Sequence, residues 1–198
     1  MAKAPVAGSV KRRLARQIGD VAAVRFYRHT LARTVLRLAA DPRWRTYLAV
    51  TPDAALAASC WPPRGDVARI PQGKGDLGRR MQALFDRLPP GPAIIVGTDI
   101  PAMRPRHIAH AFRLLGRAEA VFGPAPDGGF WLVGLKRSPR RLQPFCRVPW
   151  STAEALSATL ENLDGRIIAL APRLSDVDTG EDYRREYKFA ARIVTGHV

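Results

Sequence analysis

Apolar positions recur along this chain with two different periods. Over 21–40, Val24, Leu31, Val35 and Leu38 return near helical spacing, with Arg25, Arg28 and Arg37 mostly between them. Leu77, Met81, Leu84, Phe85 and Leu88 do the same over 77–88. Other apolar runs are short, branched and unbroken. Ala93-Ile94-Ile95-Val96 is the clearest, and it predicts a strand buried on both faces of a largely parallel sheet. Segments 44–51, 67–70, 118–123, 130–135 and 166–170 predict further strands. Helices are expected over 105–115, with Pro105 in the first turn, and from Ser151 or Thr152 to Leu163. Ser151 and Glu154 there spell a capping box. A short helix is expected over 54–59, and a final one from about 175 to about 194. Asp20 and Asp76 are the expected N-caps of the 21–40 and 77–88 helices.

Strand and helix alternate through most of the length. This predicts an α/β fold, a three-layer sandwich around a mixed, mostly parallel sheet, as one domain over 1–198. Segment 130–135 follows a strand closely and is the expected antiparallel member. Only Met1 and Ala2 precede the loop that begins at Lys3, so the first strand is expected to be truncated.

Composition narrows the function classes. With 198 residues, 46% hydrophobic and 25% charged, the chain is ordinary globular material. No apolar run approaches the roughly 18 residues of a membrane span. Cys60 and Cys146 form no metal-ligand spacing, and no apolar leader follows Met1, so reduced thiols and a cytoplasmic location are expected. The net charge of +15 admits an anionic ligand. Its basic residues are scattered over the expected helices, mostly as arginine, without an aromatic-interleaved basic motif, so nucleic acid is not the expected partner.

Candidate chemistry gathers at the strand ends. Asp99, just past Gly97 and before Pro101, falls where open α/β sheets bind ligands, and a carboxylate there suits a divalent metal with its phosphate ligand or a helix cap. Lys3 to Leu14 holds Pro5 and Gly8, then Lys11, Arg12 and Arg13, a phosphate cradle or a solvated basic helix end. Gln72-Gly73-Lys74-Gly75-Asp76-Leu77-Gly78 is a loop that could grip a nucleobase edge or simply join strand to helix. Asp127, before Gly128 and Gly129, is a turn residue or a second carboxylate on the cleft. Asp176-Val177-Asp178 stands at a helix start, where capping is the simpler reading.

Taken in order, KAPxxGxVKxRL, QGxGDLGxRM, GTDIP, PAPDGGFWLVGL, WST and DVDTxED resemble the bacterial radical-SAM/selenodomain-associated glycosyltransferase-like family. That family is similar to GT-A-fold nucleotidyl- and glycosyltransferases, with the molybdenum-cofactor and phospholactate guanylyltransferases as more distant relatives. The resemblance runs from Lys3 to Asp182. It implies a metal-dependent transferase with a nucleotide-activated donor: a nucleotide-sugar glycosyltransferase acting on a small acceptor. The alternative it implies is a nucleotidyltransferase that moves NMP from an NTP and releases pyrophosphate. A non-catalytic nucleotide or nucleic-acid binding module is a third, weaker reading. By position, Lys3, Gly8, Lys11 and Arg13 fall on the phosphate loop, and Gln72, Gly73 and Gly78 on the base-contacting loop. Asp99 and Asp178 fall on the ligands of Mg²⁺ or Mn²⁺, with Asp99 and Asp127 in the catalytic centre. Arg12 stands where the family usually has threonine.

Overall fold

The structure is a computed structural model that describes residues 1–63, 66–138 and 141–186. Its elements are β1 (Ala2–Lys3), α1 (Arg12–Ile18), α2 (Asp20–Ala39), β2 (Tyr47–Thr51), β3 (Ala68–Pro71) and α3 (Leu77–Arg87). They continue as β4 (Ala93–Val96), α4 (Pro105–Leu115), β5 (Ala120–Pro124), β6 (Phe130–Leu135), α5 (Ala155–Glu161) and β7 (Ile168–Leu170). β1, β2 and β3 pair in parallel, in that order. β4, β6, β5 and β7 form a second ladder, in which β6 is antiparallel to both neighbours and β7 runs parallel to β5. This is the mixed, mostly parallel arrangement that the apolar runs predict.

Side chains alternate across the strands, and that alternation makes the layers. Ala49, Ile95, Phe122 and Val133 point to one face, where Met81, Leu84 and Phe85 of α3 cover them. Val50 on the other face meets Tyr27, Leu31 and Val35 of α2. Val121 and Leu132 meet Ile108, Ala111 and Leu115 of α4.

β1 is as short as the sequence implies: Ala2 pairs with Val50 and Lys3 with Thr51. Met1 continues the line, its amine donating to the Val96 carbonyl at 2.7 Å while its own carbonyl accepts from the Thr98 hydroxyl at 3.3 Å. The loop after β1 is therefore held mainly by side chains. The buried Tyr27 hydroxyl bonds both the N–H and the carbonyl of Lys3, and the Arg28 guanidinium donates to the Pro5 carbonyl.

Several local expectations are corrected. The N-cap of α2 is Gly19, at φ 84°, and Asp20 is the first helical residue. Segment 54–59 supplies only a 3₁₀ turn, Asp53–Ala55. The Ser151–Glu154 capping box does not form. Ser151 is left-handed at φ 68°, Glu154 is itself the N-cap of α5, and the Thr152 hydroxyl accepts the Glu154 N–H at 3.2 Å. The last helix starts at 180, and the part expected beyond 186 lies outside the described residues. Asp76 does cap α3, accepting from the Arg79 N–H at 2.8 Å.

Candidate active site

β4 ends at Val96, and Gly97-Thr98-Asp99 carry the chain off the sheet. A Cβ on Gly97 would lie 2.9 Å from Ile100 Cδ1 and 3.1 Å from Asp99 Oδ1, so glycine is what lets Asp99 fold back against the strand end. Facing it is Lys11, which precedes α1 in a left-handed conformation, φ 48°. Lys11 Nζ lies 2.5 Å from Asp99 Oδ2, 2.7 Å from Asp178 Oδ1 and 3.6 Å from Asp176 Oδ2. Arg13 adds a longer, exposed contact to Asp178 at 3.4 Å.

Asp176 and Asp178 arrive on an extension of β7. The chain after β7 is laced to β5 by Ala171 N–H to the Phe122 carbonyl, at 2.8 Å, and Leu174 N–H to the Pro124 carbonyl, at 3.3 Å. It is tied to the site itself by Val177 N–H to the Asp99 carbonyl, 3.3 Å, with the Val177 side chain buried. Capping of the last helix falls to other residues. The Asp182 carboxylate accepts the Asp178 and Thr179 N–H groups, and the Thr179 hydroxyl accepts the Asp182 N–H. The capping expectation for Asp176-Val177-Asp178 is thus corrected, and both aspartates face Lys11.

One oxygen from each of Asp99, Asp176 and Asp178 falls within 4.8 Å of the others. Burial works against charge on Lys11, but Asp99 and Asp178 outweigh it and hold the ammonium protonated well above its ordinary range. Asp178 is likewise penalised by burial, yet the Lys11 charge and hydrogen bond carry its pKa below the usual carboxylate value. Asp176 goes the other way, pushed up to about 6 by burial; the Lys11 charge opposes this, while Asp99, Asp178 and Asp127 add to it.

Two cavities meet at this cluster. One, about 690 Å³, is bordered by Lys3, Lys11, Arg12 and Arg13 with Tyr27 and Asp178. The other, about 250 Å³, is bordered by Phe130, Trp131 and Trp150 with Asp127 and Asp176. Leu77, Gly97, Asp99 and Ser151 belong to the walls of both.

The residues singled out in the sequence divide accordingly. Lys11, Asp99 and Asp178 come together, with Arg13 at their edge, and Asp127 shares the lining of the smaller cavity with Asp99. Lys3 borders the larger cavity, but its ammonium bonds the Ser9 carbonyl at 2.8 Å. Gln72 borders the larger cavity, but the expectation that its amide nitrogen reads a base is corrected by that nitrogen's partners. It is 3% exposed, and its amide nitrogen donates to the Ala2 and Ala49 carbonyls at 3.0 and 2.9 Å, holding β1 and β2 together. Gly78 is corrected too: a Cβ there would lie 2.7 Å from the Trp150 ring and 2.9 Å from Phe145 Cβ, so its smallness serves packing. Gly73, at φ 82°, donates its N–H to Asp53, and Gly8, at φ 72°, serves the turn after β1. Asp176 is the functional candidate that sequence reasoning undervalued. Its signal was the two-residue spacing to Asp178, which an extended loop turns into two carboxylates on one side.

The α/β sandwich is of the nucleotide-diphospho-sugar transferase type, and comparison with solved structures bears out that fold. A protein from Desulfovibrio desulfuricans G20, provisionally named a nucleotide-diphospho-sugar transferase, superposes with a TM-score of 0.83 at 26% identity, over 95% of this chain and 84% of that one. Rv0371c from Mycobacterium tuberculosis H37Rv matches at TM-score 0.51 and 17% identity, over 80% of this chain and 81% of its own. Its homologue from Mycobacterium sp. strain JC1 reaches 0.56 at 14% identity, over 83% and 84%. Below 25% identity these two speak for the fold alone. Residues 33–152 match the family described as an uncharacterized protein conserved in bacteria, DUF2064, and the chain belongs to it. No curated protein matches the chain.

Proposed function

We propose that this protein is a metal-dependent transferase that takes a sugar from a nucleoside-diphosphate donor and passes it to a small acceptor. One observation carries the reading: three carboxylates converge where a cavity walled by cations meets one that no lysine or arginine among the described residues borders. Three carboxylate oxygens are a hard donor set of the kind Mg²⁺ and Mn²⁺ prefer, and one lysine leaves them with negative charge to spare. Asp99, Asp176 and Asp178 would hold such an ion, whose chemistry is to neutralise charge on the departing diphosphate.

The chain's own groups supply the rest. Lys11, Arg12 and Arg13 border the larger cavity and attract the anionic diphosphate there. Asp127 accepts the Gly129 N–H through Oδ1 at 3.0 Å, and among the described residues no hydrogen bond reaches its Oδ2. That oxygen is the acceptor clamp or base. The name of the Desulfovibrio protein agrees with a nucleotide-sugar donor. Among the described residues no helix is long and apolar enough to cross a membrane.

The test is a thermal-shift panel of nucleotide sugars, nucleoside diphosphates and triphosphates, with and without Mn²⁺, beside Asp99→Asn. A ligand at about 100 times its dissociation constant adds about 2.7 kcal/mol of stability. A Mn²⁺-dependent shift with a nucleotide sugar, lost in Asp99→Asn, is the expected result. A shift confined to triphosphates would transfer the proposal to nucleotidyl transfer.

A further inference from the structure

The smaller cavity has a charge pattern at odds with the molecule around it. In a chain of net charge +15, no lysine or arginine among the described residues borders it, while Asp99, Asp127 and Asp176 do. The cations gather in the larger cavity. Much of the remaining lining is apolar: Phe130 and Trp150, half-buried and in edge contact at 6.2 Å, stand beside Trp131 and Leu77, with Ser151 and Thr152 as the polar members. Trp131 is fixed there, its indole N–H donating to the Pro172 carbonyl at 3.0 Å. A volume of about 250 Å³ is smaller than the roughly 300–1,000 Å³ of drug-sized ligand sites, which limits the occupant to about one ring or a short chain.

From this we infer that the acceptor is a small molecule with an apolar face and a reactive hydroxyl, bearing no negative charge. The inference rests on the transferase reading above. An anionic head in this cavity meets the carboxylates of Asp99, Asp127 and Asp176, while the nearby Lys11 ammonium is already shared among Asp99, Asp176 and Asp178, which costs binding in a partly desolvated site. A neutral or cationic head meets partners, and the apolar face lies on Phe130 and Trp150. The transfer balances on the residues in place. The acceptor oxygen's lone pair forms the bond to the anomeric carbon. The bond from that carbon to the diphosphate breaks, with its electron pair leaving on the diphosphate, and the hydroxyl proton passes to Asp127. A phosphate-bearing acceptor, as nucleotidyl transfer onto a phosphate would need, is disfavoured by the same carboxylates.

The experiment uses three probes that share one apolar body: 4-phenylbutanol, 4-phenylbutylamine and 4-phenylbutyrate. Each is titrated into the full chain in EDTA and followed by ligand-observed NMR. The alcohol and the amine should bind at least tenfold more tightly than the carboxylate, and Asp127→Asn should narrow that gap. A carboxylate that binds as tightly as the alcohol, or no binding by any of the three, overturns the acceptor class. A gap unchanged in Asp127→Asn overturns it as well, because the discrimination then arises elsewhere. Nucleotide-sugar binding with Mn²⁺ is measured on the same samples. If it is absent while the probes rank as expected, the transferase reading falls instead.

Discussion

Removing the Lys11 ammonium would leave Asp99 and Asp178 facing each other across a few ångströms with their main counter-charge gone. Breaking a fully buried ion pair in this way costs about 3–5 kcal/mol. Here the lysine is 5% exposed but the aspartates are 29% and 35% exposed, so solvent screening brings the expected loss to about 1–3 kcal/mol. Lys11→Met should therefore melt several degrees lower in EDTA. It should also gain more from Mn²⁺ than the wild type does, since the ammonium no longer competes for the same oxygens. Equal gains in paired melts with EDTA and Mn²⁺ would show that the lysine and the ion do not share a site. Gln72 makes the opposite kind of case. Gln72→Leu strips two carbonyls of their donor and should cost about 1–3 kcal/mol in urea unfolding, with the order of nucleotide preference unchanged. A changed nucleotide preference at unchanged stability would restore it as a base reader. The amide looked like a ligand-binding group in the sequence because nothing local reveals which way it faces. Its direction is fixed by the pairing of β1 with β2, a contact 70 residues away along the chain.

At the scale of elements, the loop after β5 and the loop before α5 hold one another. Gly128, at φ 84°, accepts the Leu156 N–H at 3.0 Å, and a Cβ there would fall 2.5 Å from the Ala153 Cα. Gly128→Ala should destabilise the fold by more than the roughly 1 kcal/mol of a strained φ alone, and should weaken alcohol-probe binding in the NMR titration. The same contact explains why the capping box spelled by Ser151 and Glu154 fails. Tertiary packing places the 150–155 segment, and local propensity yields to it. α4 shows the reverse, a start legible from Pro105 and completed by an unannounced partner, His107, whose Nδ1 accepts the Arg104 N–H at 3.2 Å. Burial, then the charges of Arg106, Arg104 and His110, lower the His107 pKa. A histidine depressed in the folded state contributes its stability in full above its unfolded value of about 6.5 and loses it as pH falls through the folded one. Melting temperature should accordingly drop more between pH 7.5 and 5 in wild type than in His107→Gln, which caps without titrating. Parallel curves would rule the cap out as an acid-sensitive element.

Over the whole molecule, the charges sort between the two cavities: Lys11, Arg12 and Arg13 border one with Asp178, while Asp127 and Asp176 border the other with the aromatic rings. Nucleotide-sugar binding should thus weaken several-fold between 50 and 500 mM NaCl while 4-phenylbutanol binding holds, because only the first depends on exposed charges that salt screens. Similar salt sensitivity for both in titration would show that the partition does not govern binding. This partition could not be read from a net charge of +15, which averages over it. The strand ends could be, because branched runs such as Ala93–Val96 announce themselves wherever they fall. Asp99 was legible for that reason. Asp176 was not, since several acids crowd 175–182 and only the folded path shows which of them cap and which turn inward. The wall shared by the two cavities has a thermodynamic consequence. A ligand on either side bears on Leu77, Gly97, Asp99 and Ser151, so any shift of these residues under one occupant is felt in the free energy of filling the other side. Linkage makes such coupling reciprocal: whatever factor the donor lends to acceptor affinity, the acceptor returns to the donor.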